Sequence, residues 1–140
     1  MATLKRPLVA LLIAPDREMR HAILEGRKRI TIREGYREGY DLGRPVMLCC
    51  QIDPWCVMAD IAAVRHCLLS EVTEEEWEAD GFASREELLT GMQRFYPEMD
   101  WNSAVTIISW DNVRGKLVDN WRKLRKSSWV LQDSPRESSV

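Results

Sequence analysis

Residues 8–14 form the longest apolar run, short and unbroken, the pattern of a strand buried on both faces. Pro15-Asp16 then opens a helix. Asp16 is a good N-cap, Met19, Ala22 and Ile23 make the apolar stripe, and Gly26 stands where a left-handed residue ends a helix. The next segment, Arg29-Ile30-Thr31-Ile32-Arg33, alternates strictly, which predicts a half-buried strand. Ile30 and Ile32 face the core there, and Arg29, Thr31 and Arg33 share the other face. Residues 34–45 hold three glycines and two tyrosines and read as an exposed, mobile loop. Residues 46–52 predict a second buried strand turned by Asp53-Pro54, and residues 57–69 a long, bent one.

Thr73-Glu74-Glu75-Glu76 is a capping box, and it starts a short acidic helix that Gly81 ends. Ser84-Arg85-Glu86-Glu87 repeats the device for a second helix, whose stripe is Leu88, Leu89, Met92 and Phe95 and which Tyr96-Pro97 closes. Residues 105–110 give the last clear strand. A basic amphipathic helix over 116–126 follows, with Leu117, Val118, Trp121 and Leu124 on one stripe, then a disordered Ser/Pro-rich tail over 127–140. This helix packs on the domain or on a protein partner. Trp110 and Trp77 are core or core-edge residues. Strands with helices between and around them make an α+β domain over 1–115, built on a curled, barrel-like sheet.

The 140 residues suffice for one domain. No apolar run approaches a membrane span, and Lys5-Arg6 before the first strand lack a cleavage pattern behind them, so a cytoplasmic protein is expected. The net charge of −2 hides a separation: residues 1–44 carry ten basic and six acidic side chains, and residues 45–113 three and thirteen. Such separation suits either a polyanion-binding face or ordinary solvated faces. Cys49, Cys50, Cys56 and Cys67 contain no C-x-x-C pair, and His21 and His66 stand apart, so reduced structural thiols are expected, with no metal and no cofactor.

Chemistry concentrates in Gly26-Arg27-Lys28-Arg29-Ile30-Thr31-Ile32-Arg33, where four basic residues flank a helix-to-strand junction. Lys28 precedes the strand and is free to swing towards Thr31. Neighbouring guanidinium groups disfavour a further positive charge, one route to a lysine that accepts a threonine proton. The same cations suit phosphate binding, or a solvated edge strand that resists aggregation.

Gly26-x-Lys28-x-x-x-x-Arg33 resembles the G-x-K-x-x-x-x-R signature of the ASCH domains, relatives of the PUA fold. Downstream landmarks agree in order: Gly43 before a strand, Asp80-Gly81-Phe82, an amphipathic helix, Tyr96-Pro97 and a final Val-Thr-Ile-Ile strand. The resemblance implies a PUA-like small β-barrel of five to six strands flanked by helices, with RNA or a modified nucleoside bound in a basic cleft. Residues 26–33 are also similar to the motif of the bacterial N4-acetylcytidine amidohydrolases within that family. This implies Thr31 as nucleophile and Lys28 as its helper. The family's acidic residue falls at Gly81 in an ungapped count, with Asp80 and Glu78 the nearest acids, and Asp80 is the candidate proton donor.

Amide hydrolysis would use Thr31, Lys28 and Asp80, while Arg27, Arg29, Arg33, Tyr36 and Tyr40 would bind substrate or RNA, the arginines on phosphates and a tyrosine stacked on a base. A metal-independent ribonuclease and a non-enzymatic protein-interaction adaptor are the other readings.

Overall fold

The computed structural model describes residues 9–12, 17–49, 56–116 and 130–131. In chain order the elements are β1 (Val9–Leu12), α1 (Arg17–Leu24), β2 (Ile30–Glu34), β3 (Pro45–Cys49), β4 (Cys56–Leu68), α2 (Glu74–Asp80), α3 (Arg85–Phe95), β5 (Ala104–Lys116) and β6 (Val130–Leu131). The strands form one sheet in the order β2-β5-β4-β3-β1-β6. Neighbours pair antiparallel except β1, which runs parallel to β3 and to β6.

Two features curl this sheet. The long β4–β5 ladder carries register shifts after Val57, Met58 and Ile61, and such bulges bend and twist a strand pair. A contact from β2 then reaches across to β1, although the two strands share no ladder: Arg33 Nη2 donates to the Leu12 carbonyl at 3.2 Å. The fold is α+β, a curled barrel-like sheet with helices against it, as the pattern of elements implies.

The core lies on both sides of the sheet. One cluster fills the curl, with Val9, Leu11, Val46, Leu48, Ile61, Ile108 and Trp110 from the strands and Ile23 from α1. A second joins Ile30, Ile32, Val105 and Ile107 to Leu88 and Met92 of α3 and Ala79 of α2. Trp77 packs at its margin. β2 is therefore buried on both faces. The expected half-buried strand is corrected at Thr31 and Arg33, which lie inside the curl with Ile108, and a solvated basic edge no longer describes it.

Capping follows the sequence closely. Thr73 Oγ1 accepts from the Glu76 N–H while the Glu76 carboxylate accepts from the Thr73 N–H. Ser84 caps α3 through the Glu87 N–H, but Glu87 reaches back to Ala83 rather than to the cap itself. In α3 Leu88 and Met92 are buried, whereas Phe95, expected on the apolar stripe, is exposed. The glycine-bearing loop after β2 is tied down: Thr106 Oγ1 accepts from the Arg37 N–H and donates to the Gly35 carbonyl, and the Gly43 N–H donates to Ile61. The last long strand runs on past the expected 105–110 to Lys116, which ends β5 instead of opening a helix; the rest of the expected helix over 116–126 and most of the expected tail lie outside the described residues. Within that tail, Val130–Leu131 pair with β1. No helix among the described residues is long and apolar enough to cross a membrane.

Candidate functional site

Two helix stops bring Lys28 and Asp80 together from positions far apart in the chain. Gly26, at φ +79°, ends α1, and the Arg27 and Lys28 N–H groups fold back onto the Ala22 carbonyl. Gly81, at φ +106°, ends α2, its N–H bonded to the Glu78 carbonyl. The last carbonyls of a helix lack intrahelical partners. Here the Arg29 N–H takes Ala79 at 2.8 Å and Lys28 Nζ takes Asp80 at 3.3 Å. A cation at a helix C-terminus also complements its dipole.

Lys28 Nζ forms an ion pair with the Asp80 carboxylate and donates to the Ile30 carbonyl at 2.9 Å. Its three N–H bonds are thus all taken up by acceptors, and none of them goes to Thr31. The ammonium also lies 6.0 Å from the centre of the Trp110 ring. Lys28 is 4% exposed and Asp80 7%, so this is a buried pair. The expected ring of guanidinium groups around Lys28 is corrected: its partners are a carboxylate and two carbonyls, because α2 closes over it, and the Arg29 side chain is exposed.

Two residues further along, Thr31 is 6% exposed and Arg33 1%. Arg33 Nε donates to Thr31 Oγ1 at 3.1 Å, so the guanidinium holds the hydroxyl from one side and β1 from the other. Burial pulls the Arg33 guanidinium below its usual range, an effect partly offset by Tyr96, Tyr40 and Asp80 around it. Tyr40 is half-buried against the curl's core. The Tyr96 hydroxyl is buried beside Arg33 without a partner at hydrogen-bonding geometry among the described residues, and so is the Trp110 indole N–H beside Lys28. Buried donors in that condition carry a penalty of about 1–3 kcal/mol each, which a ligand acceptor would relieve.

Of the residues singled out in sequence, Lys28, Thr31, Arg33, Tyr40 and Asp80 come together. Arg27, Arg29 and Tyr36 do not. Arg27 is exposed and paired to Glu25 at 2.6 Å, and Tyr36, 59% exposed, meets the edge of His66 with ring centroids 5.4 Å apart. Sequence reading passed over the Tyr96 hydroxyl and the Trp110 indole as site groups. Both fall at helix-end and strand positions where a core role is the simpler expectation. No group of three or more His, Cys, Asp or Glu that could hold a metal ion occurs among the described residues.

No family model matches the chain, and neither does any curated protein. Solved structures do. A DUF984 protein from Enterococcus faecalis V583 shares 15% identity at a TM-score of 0.63, over 84% of this chain and 86% of that one. An ASCH protein from Zymomonas mobilis shares 14% at 0.61, over 90% and 82%. An ASCH domain from Lactobacillus crispatus shares 12% at 0.52, over 74% and 79%.

Proposed function

We propose that this chain, which has the fold of the ASCH domains, recognises a modified nucleoside at the Lys28–Arg33 segment and hydrolyses the acetyl amide of N4-acetylcytidine. The observation that carries the reading is the joint burial of Lys28, Thr31, Arg33 and Asp80. A surface that grips phosphate backbones keeps its cations in water, where they displace counterions. Cations withdrawn from water beside a hydroxyl and a carboxylate suit a small uncharged group instead.

One proton shift sets up the chemistry. Passing a proton from Lys28 Nζ to the Asp80 carboxylate leaves a neutral amine and a carboxylic acid, the base and the acid that amide hydrolysis needs. Nζ turns from the Ile30 carbonyl to Thr31 as the substrate arrives. Thr31 Oγ1 adds to the acetyl carbon while its proton passes to Nζ, and the Arg33 guanidinium with the Tyr96 hydroxyl steadies the oxyanion. The C–N bond then breaks, Asp80 protonates the departing exocyclic amine, and water releases acetate from the threonine ester.

Incubation with N4-acetylcytidine, followed by chromatography for cytidine, tests this. Cytidine appears with the parent protein and not with Thr31→Val or Lys28→Met. No cytidine at high enzyme, or release that ignores both substitutions, removes the hydrolase.

A second reading has its own observation. Arg29 and Tyr36 are exposed and flank the Thr31–Arg33 stretch in sequence, and Arg27 is exposed although paired to Glu25. They suit the phosphates and an unpaired base of RNA that presents the nucleoside in a chain. Affinity for single-stranded RNA should then fall with salt and with Arg29→Ala. The reduced thiols of Cys49, Cys56 and Cys67 fit a reducing, cytoplasmic setting for either partner.

A further inference from the structure

Cys49 ends β3 and Cys56 begins β4, and the antiparallel register sets them directly opposite each other. Opposed residues in an antiparallel pair have Cα atoms about 4.5–5.5 Å apart, within the separation a disulfide spans. The side chains use that placement: both are reduced thiols, both are fully buried, and Cys56 Sγ lies 2.7 Å from Cys49 Sγ. Cys67 belongs to a different core cluster and stands opposite Val105 of β5, not opposite either of these two.

We propose that Cys49 and Cys56 are an oxidisable pair, a modification site at which hydroperoxides form a reversible cross-strand disulfide. One thiolate attacks the peroxide oxygen, giving a sulfenic acid and releasing water or an alcohol. The second thiol attacks the sulfenic sulfur, forms the S–S bond and releases water. The two sulfurs thus lose two electrons and two protons to the peroxide, and a dithiol reductant reverses the change. A small uncharged oxidant fits a site buried at a strand end, where local opening admits hydrogen peroxide more readily than a bulky disulfide.

The position gives the bond a consequence. Cys49 pairs with Leu12 in the β1–β3 ladder, and both share a buried cluster with Cys56. Leu12 supplies the carbonyl that receives Arg33. Oxidation therefore staples the strand end on which that contact rests, whatever ligand the site takes.

The full-length chain is treated with hydrogen peroxide, denatured and alkylated, and its four cysteines are assigned by peptide mass mapping. Because Cys50 shares a peptide with Cys49, the same is done with Cys50→Ser. The expected result is a fall from four titratable thiols to two, a Cys49–Cys56 cross-link in both proteins, a raised unfolding midpoint, and return to four thiols with dithiothreitol. Cys56→Ala should retain three thiols and gain no midpoint shift. Four thiols surviving in a natively folded protein, a cross-link through Cys50 or Cys67, or a bridge between chains overturns the proposal. So does a cross-link that forms only after unfolding.

Discussion

Arg33 on β2 donates to the main-chain carbonyl of Leu12 on β1, joining two strands that no ladder connects. The guanidinium also holds Thr31 Oγ1, so one buried side chain both curls the sheet and orients the proposed nucleophile.

Arg33→Met is therefore expected to destabilise the fold by about 1–3 kcal/mol, since it leaves a buried carbonyl and a buried hydroxyl without that donor. Arg33→Lys should recover little of this, because an ammonium cannot span the same fork. Urea unfolding at constant m checks both, and a midpoint unchanged in Arg33→Met would mean that the strands are held by other means.

Asp80→Asn should have a larger effect. Removing the carboxylate strands a buried ammonium, a change that costs about 3–5 kcal/mol when a buried pair is broken on one side. The double variant Lys28→Met/Asp80→Asn is expected to be more stable than the single, because the stranded charge is gone. A double-mutant cycle on unfolding free energies reads the coupling, and strict additivity contradicts the pairing.

Tyr96→Phe separates ligand recognition from folding. Its hydroxyl lies beside the Arg33 guanidinium but meets no partner at hydrogen-bonding geometry among the described residues, so its loss should leave stability unchanged or slightly raised, by up to roughly 1 kcal/mol. Turnover of N4-acetylcytidine should fall all the same, by about 10²-fold if the hydroxyl steadies the oxyanion. A loss of stability with turnover intact would make Tyr96 a packing residue.

Glu76 gives the pH dependence. Burial acts to raise its carboxyl, but the Arg65 fork at 2.8 and 2.9 Å and the Thr73 N–H prevail and hold it below its ordinary value near 4.5. A folded-state value below the unfolded one stabilises above the unfolded value, and that stability is lost as pH falls through the folded one. Glu76→Gln keeps an acceptor for the Thr73 N–H but loses the charge facing Arg65, so it should cost about 0.2–1 kcal/mol at pH 7. It should cost less at pH 3, and equal losses at both pH values would remove the assignment.

Much of this was legible from residue order. The Thr73 box, the Ser84 cap and the stops at Gly26 and Gly81 are local devices, written within a few neighbouring positions, and the strand at 30–34 follows from alternation. The burial of Arg33 was not legible in that way, because alternation counts arginine as polar and assigns its face to water. Only the curl, a long-range property of the β4–β5 bulges, turns that face inward. Asp80 was a candidate by its place before Gly81, yet its contact with Lys28 bridges 52 positions and is supported by Ala79 accepting from the Arg29 N–H. Tyr96 was visible only as a helix end. Its hydroxyl is informative because it is buried with no partner at hydrogen-bonding geometry among the described residues, a property of the packing and not of the residue order.

The most direct measurement is heteronuclear NMR of side-chain N–H signals in protein labelled on arginine and lysine, titrated with N4-acetylcytidine. Buried Arg33 Hε and Lys28 Hζ protons exchange slowly enough to be seen, and the account expects these two to shift in saturable fashion while Arg27 and Arg29 stay still. Shifts confined to Arg27 and Arg29, or none at any concentration, would contradict a nucleoside seated on the buried group.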